Sequence, residues 1–185
     1  LVVKVEDSKK PVFVLSFSMG GLIALNALER LKATGNLGGM LFLAPALRFP
    51  TSDQTQLNLL KKIHFDHLIP WISRGGVGTY KNEIKERRLS ARYFSTTALK
   101  EMMYLQDSAL ESLNLLRSSP CRMYYGSKDE TVSGEIVTLF DSNSVKVIPH
   151  GLHHLGHDSL RDEIWDDMSL FIESSLGIKK KRAAV

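Results

Sequence analysis

One junction constrains this chain most. Val12-Phe13-Val14-Leu15 runs through Ser16-Phe17-Ser18-Met19-Gly20-Gly21 into Leu22-Ile23-Ala24-Leu25-Asn26-Ala27-Leu28-Glu29-Arg30-Leu31. The apolar run after Pro11 is too short for a buried helix and reads as a strand covered on both faces. The Ala- and Leu-rich run has good helix propensity, and Gly35 stops it. Only a tight turn can join the two. Gly39-Met40-Leu41-Phe42-Leu43-Ala44 reads as a second buried strand ended by Pro45. Strand signals return at Arg122-Met123-Tyr124-Tyr125 and Val145-Lys146-Val147-Ile148. A final amphipathic helix spans about 160–176, with Ile164, Trp165, Met168, Phe171 and Ile172 on one stripe. Strands alternating with helices predict an α/β fold: a parallel sheet, helices on both faces and right-handed crossovers.

Between these parts the character changes. Leu57, Leu60, Lys61 and His64 fall at helical spacing, as do Leu99, Met102, Met103, Leu105, Leu110, Leu113 and Leu116, and no clear sheet strand intervenes. The expected organisation is a core part at 1–47, an inserted helical cap or lid at 48–118, a second core part at 119–178 and a basic tail at 179–185. The net charge of +4 equals the four cations of Lys179-Lys180-Lys181-Arg182, so the body is neutral and no nucleic-acid footprint is indicated. The tail reads as a solvated end that can make weak peripheral contact with an anionic membrane surface. A single cysteine, Cys121, allows no internal disulfide and suits a reducing compartment such as the cytoplasm. No stretch approaches the length of a membrane span, and Leu1–Lys10 does not have the order of a signal peptide.

The turn at Ser18 has the context of a nucleophile elbow, a sharp strand-to-helix reversal that exposes a serine hydroxyl at a helix N-terminus. Residues two before and two after such a serine must be small. Phe13 to Leu22, with Ser18-Met19-Gly20-Gly21, resembles the elbow of α/β-hydrolases, especially monoacylglycerol lipase-like and bacterial carboxylesterase-like members. The usual pattern is G-x-S-x-G, and here Ser16 replaces the first glycine. The resemblance implies an α/β-hydrolase fold and a serine esterase or lipase with a Ser-Asp-His triad, an acyl-enzyme intermediate and no cofactor.

Tyr124-Tyr125-Gly126-Ser127-Lys128-Asp129-Glu130-Thr131-Val132 matches the family's acid loop, G-x-x-D-x-x-V, which assigns the acid to Asp129 rather than Glu130. An acid is needed there to hold the histidine tautomer and stabilise the imidazolium. Four of the six histidines lie within 150–157. A metal site is one reading of such a tract, but clustered carboxylates and cysteines are missing, so no metal is expected. The order Ser, Asp, His supports a base-bearing loop instead. In the resembling families an apolar pair closes the last helix about seventeen positions after the base; His154 stands 171 − 154 = 17 before Phe171, and His157 stands 14 before it. The Gly-Leu-His-His-Leu-Gly surroundings resemble the family's Gly-x-x-His loop. His154 is therefore favoured, with His157 and His153 as alternatives, while His64, His67 and His150 read as surface or packing residues.

By the same resemblance, the backbone N–H of Met19 is one oxyanion donor. Complete members have further strands and a second-donor loop, often His-Gly, before the elbow strand; this chain is expected to be the C-terminal part of such a domain, with those pieces missing. Phe17, Leu68, Ile69, Trp71, Met102 and Met103 are candidate substrate contacts, since apolar and methionine side chains suit a flexible acyl chain; ordinary packing explains each equally well. Substrates implied are monoacylglycerols, simple carboxylic esters or lysophospholipids. The competing readings are a non-catalytic or truncated hydrolase-fold binding module, and another reaction of the fold such as thioester or C–C hydrolysis or acyl transfer.

Overall fold

A computed structural model describes residue 6 and residues 8–50, 71–73, 93–157 and 160–178. Strand β1 (Val12–Phe17) leads into helices α1 (Met19–Asn26) and α2 (Leu28–Ala33), then strand β2 (Leu37–Leu43). Strands β3 (Trp71–Ser73) and β4 (Tyr93–Ser95) precede the long helix α3 (Thr96–Leu116). Strands β5 (Cys121–Gly126) and β6 (Val145–Ile148) follow, and helix α4 (Arg161–Ser175) closes the series.

β1, β2, β5 and β6 form one sheet in that spatial order, and every pairing is parallel. The register places Phe17 beside Leu43, Leu43 beside Tyr124 and Tyr124 beside Lys146, so the carboxyl ends converge on one edge of the sheet. Ligand sites of open α/β sheets lie at such an edge.

The period of two along each strand divides the core. Met40 and Phe42 of β2 and Met123 and Tyr125 of β5 face Leu22, Leu25, Leu28 and Leu31 of the first helices and Ala109 and Leu116 of α3. Leu41, Leu43, Tyr124 and Ile148 face the other way, toward Ile164 and Met168 of α4. β2 and β5 are buried on both faces and read as continuous apolar runs, whereas β1, expected to be covered on both faces, leaves Leu15 and Phe17 exposed.

The helix expected after the elbow is divided at Ala27. The Asn26 amide donates to Leu22 O (2.8 Å) and to Leu105 O of α3 (2.9 Å). A side-chain amide competing for a helical carbonyl in this way disturbs the turn where it acts. The helical stretch ends as expected at Gly35, whose φ of 71° is left-handed.

The segment expected to be a purely helical cap differs in two respects. β3 and β4 pair antiparallel, with Ile72 opposite Phe94, so it does contain a two-stranded sheet. Strands of three residues leave almost no period to read. Its last helix, α3, packs into the core rather than standing off from it, and the buried Gln106 amide donates to Ala46 O at 2.8 Å. Of its two candidate substrate contacts, Met102 packs against that core and Met103 is buried. The helical spacing noted at Leu57–His64 falls outside the described residues.

α4 is clamped from below by polar groups. Arg122 Nε and the Tyr124 hydroxyl donate to Asp167 Oδ2 at 3.0 and 2.7 Å, and Lys146 Nζ approaches Asp167 Oδ1 at 3.4 Å. Burial pushes the Asp167 carboxyl up, but the hydrogen bonds from Arg122 and Tyr124 outweigh it and hold the group below its ordinary value. Burial, reinforced by Asp167, drives the Tyr124 phenol well above its usual range.

Candidate active site

The elbow is shaped by its immediate surroundings. Ser18 has φ 50° and ψ −118°, a conformation costing a non-glycine residue about 1–3 kcal/mol. Three backbone bonds hold it: its N–H donates to Leu43 O (2.9 Å), and its carbonyl accepts from Gly21 N–H (3.0 Å) and Ala46 N–H (3.1 Å). At about 1 kcal/mol each, these offset the strain. Ser16, which replaces the usual first glycine, fits the turn, and its hydroxyl donates to Leu41 O of the neighbouring strand at 3.2 Å. A Cβ at Gly20 would make an ordinary 3.9 Å contact with Ser16, whereas one at Gly21 would fall 2.7 Å from Pro45 Cβ. The position that demands glycine is therefore Gly21, where α1 crosses the chain leaving β2. Met19 opens α1, so its backbone N–H is outside the helical ladder.

The acid loop follows β5. Asp129 Oδ1 accepts from the backbone N–H groups of Thr131 (2.8 Å) and Val132 (3.0 Å), which leaves Oδ2 for another partner. The side chain is fully buried, at 0% exposure, and neighbouring Glu130 is exposed. Burial, and then the Asp129 charge, raises the phenol of Tyr125 next to this loop. Tyr125 therefore stays neutral and can donate to Val132 O.

His153 fills the remaining position. Its Nδ1 lies 2.8 Å from Asp129 Oδ2, and its Nε2 lies 2.9 Å from Ser18 Oγ. A carboxylate can only accept, so Nδ1 carries the proton and Nε2 is free to accept from the serine hydroxyl. The ring is 10% exposed and packs against Phe17, with centroids 5.1 Å apart.

This corrects the sequence-based choice of imidazole. His154, the favoured base, does not lie between Ser18 and Asp129; its ring packs against Phe17 (5.4 Å) and edge-on to His153 (5.4 Å). The reason is local. Leu155 is wholly buried and its N–H donates to His153 O at 3.0 Å, a tight reversal that directs His153 and not its neighbour into the cleft. The side chain of His157 lies outside the described residues, as do His64 and His67. His150 is exposed, with φ 60°.

Of the expected substrate contacts, Phe17 is beside the site and 39% exposed. Met103 is buried, and Met102 packs against the core. Leu68, Ile69 and the Trp71 side chain lie outside the described residues, as does the basic tail. Among the described residues no group of three or more His, Cys, Asp and Glu is placed to hold a metal ion, and no helix is long and apolar enough to cross a membrane.

The sequence alone did not show that two glycines of these loops, Gly126 and Gly151, touch. A Cβ on Gly126 would fall 2.4 Å from Gly151 O, and one on Gly151 would fall 3.1 Å from Gly126 Cα. The two backbones are in contact with no space for a side chain. Lys128 N–H donates to Gly151 O (2.9 Å) and Ser127 N–H to Ile148 O (3.0 Å), so the acid and histidine loops are stitched together directly.

Comparison with known proteins agrees with this architecture. The family described as "Serine aminopeptidase, S33" matches residues 2–160. The fold is similar to that of LipS and LipT, two metagenome-derived lipolytic enzymes (TM-score 0.72, 17% identity), covering 94% of this chain and 69% of that one. It is also similar to a monoacylglycerol lipase from Paleococcus ferrophilus (TM-score 0.66, 15% identity; 94% of this chain, 72% of that one). A soluble variant of monoglyceride lipase from Saccharomyces cerevisiae, solved with a substrate analogue, gives a TM-score of 0.64 at 16% identity, covering 90% of this chain and 66% of that one. These likenesses identify an α/β-hydrolase fold, of which the chain spans about two thirds. No curated protein sequence matches.

Proposed function

Because the chain belongs to the serine aminopeptidase S33 family of hydrolases, we propose that it is a serine ester hydrolase acting on monoacylglycerols or simple carboxylic esters. Ser18 is the nucleophile, His153 the general base and then acid, and Asp129 the group that holds the imidazole. The observation that carries the reading is the pair of contacts from Ser18 Oγ to His153 Nε2 (2.9 Å) and from His153 Nδ1 to Asp129 Oδ2 (2.8 Å).

His153 Nε2 takes the hydroxyl proton as Ser18 Oγ bonds to the ester carbonyl carbon. The resulting oxyanion accepts a hydrogen bond from Met19 N–H, aided by the N-terminal end of α1. Asp129 stabilises the imidazolium without taking its proton. The carbon–oxygen bond to the alcohol then breaks, and Nε2 returns its proton to the leaving oxygen. Water attacks the acyl-enzyme, giving a proton to Nε2; the acid departs and Ser18 regains its hydrogen. The fold neighbours described as lipases favour an ester with an apolar acyl group, and Phe17 at the mouth of the site offers it an apolar wall.

A fluorophosphonate should label Ser18, as read by peptide mass spectrometry, and the protein should hydrolyse p-nitrophenyl butyrate. Ser18→Ala should abolish labelling and lower turnover by about 10⁴-fold or more while the fold is retained. Ester hydrolysis undiminished in that variant overturns the assignment, and a folded wild-type protein that takes no label is a binding module instead. The family's description supports a second reading, hydrolysis of an N-terminal peptide bond. An aminoacyl p-nitroanilide cleaved faster than the ester selects it.

A further inference from the structure

We propose that Ser127 is a positioning residue for the catalytic histidine, acting through the backbone of His150. The inference rests on the roles proposed for Ser18, His153 and Asp129. Ser127 lies between Gly126, which backs onto Gly151, and Asp129, two positions further on. Its hydroxyl leaves the acid loop altogether and accepts the backbone N–H of His150 at 2.8 Å. His150 is the residue at which the chain turns out of β6 into the histidine loop, and its φ is 60°. A side chain with a Cβ is disfavoured in that left-handed region. The hydrogen bond fixes the peptide plane through which the chain enters His150, and the left-handed φ of His150 then sets the direction in which it leaves.

The direction in which the chain leaves His150 sets the path of the whole histidine loop. Gly151 must land on Gly126, where no Cβ fits, and Leu155 must reach the core. His153 lies between those two anchors, so its ring inherits any error made at His150. Ser127 contacts neither the hydroxyl of Ser18 nor the ring of His153, and it is exposed, so losing its Oγ removes no core packing. It supplies a strut between two loops whose side chains must meet within hydrogen-bonding distance. A small misplacement of such a group lowers turnover without weakening substrate binding.

Three variants test this: Ser127→Ala, Ser127→Thr, and Ser127→Ala combined with His150→Gly. With p-nitrophenyl butyrate, Ser127→Ala should lower kcat about tenfold with KM unchanged. Threonine should restore kcat, because it keeps the acceptor. Glycine at 150 should return most of the loss without any hydroxyl, because it adopts the left-handed turn freely. Unchanged kcat in Ser127→Ala overturns the proposal. So does a loss that neither threonine nor the added glycine relieves. Proton NMR separates this from the functional reading: the far-downfield Nδ1 proton of His153 should be sharp in the wild type and broadened in Ser127→Ala. If the wild type shows no Ser18-dependent hydrolysis yet the resonance behaves so, the esterase reading fails and the strut stands.

Discussion

At the β1 end of the sheet, the turn bearing Ser18 is made by residues close to it in sequence and braced by Leu43 of β2 and by Ala46 just beyond that strand. At the β5–β6 end, Asp129 and His153 are 24 residues apart. They meet because the two loops are joined through their backbones, with Gly126 against Gly151 and Lys128 N–H donating to Gly151 O. The serine turn is thus largely a local device, strained and held by its own backbone bonds. The contact of Asp129 with His153 is an assembled one, and its geometry depends on how β5, β6 and α4 pack. Damage near Ser18 should change the serine's reactivity and little else, whereas damage between the loops should disconnect the imidazole from a serine that is still correctly presented.

The sharpest test sets the two adjacent imidazoles against each other. His153→Ala should lower kcat for a soluble ester by about 10³-fold or more, while His154→Ala, which removes a ring stacked on Phe17, should cost less than about tenfold. Steady-state hydrolysis of p-nitrophenyl butyrate measures both. Equal losses would mean that the two loops do not present a single imidazole, and the contrast between the two ends of the sheet would fail.

Glycine replacements probe the same contrast through the backbone. Gly126→Ala forces a Cβ to within 2.4 Å of Gly151 O, a backbone atom that cannot swing away. It should destabilise the protein by about 2–4 kcal/mol and uncouple the loops. Gly20→Ala, two residues after the nucleophile, meets only a 3.9 Å contact and should change stability by less than about 1 kcal/mol. Urea denaturation gives both values. A severe effect at Gly20 would show that the serine turn is as tightly bound to its surroundings as the paired loops are.

A milder loss than that of Gly126→Ala is expected at the clamp that holds α4. The carboxyl of Asp167 titrates below its ordinary value in the folded protein. Its contribution is therefore full above the unfolded value of about 3.9 and disappears as the pH falls through the folded one. Asp167→Asn should cost about 1–2 kcal/mol at neutral pH, discounted for partial exposure of the pair with Arg122. The difference from wild type should shrink as the pH drops below the carboxylate range. Urea midpoints measured across pH check this. A difference that persists undiminished in acid would mean that Asp167 acts by packing rather than by charge.

Legibility in the sequence followed the same division. The elbow could be read because strand, turn and helix are contiguous, and each carries its own period or turn chemistry. The sequence pointed to Asp129 through the family's G-x-x-D pattern, in which Gly126 sets a register three residues upstream, and the structure puts that carboxylate against His153. The imidazole could not. His153 and His154 lie in a segment with no period, so neither spacing to Phe171 nor a Gly-x-x-His pattern resolves one residue. The burial of Leu155 resolves it, together with the seat of Gly151 on Gly126. α3 was recognisable as a helix from its apolar spacing, but which surface its stripe covers was not; the core and a cap pocket offer it the same chemistry.

The amino-acid order by itself determined the alternation of strands and amphipathic helices, the place of the serine turn and the Gly-x-x-Asp loop, because each is marked by residue types within a short stretch. Tertiary structure alone decided which histidine meets that acid, that α3 joins the core, and that two glycines 25 positions apart must touch. Those outcomes depend on side-chain direction and backbone approach between distant segments, which exist only once the sheet has brought its carboxyl ends together.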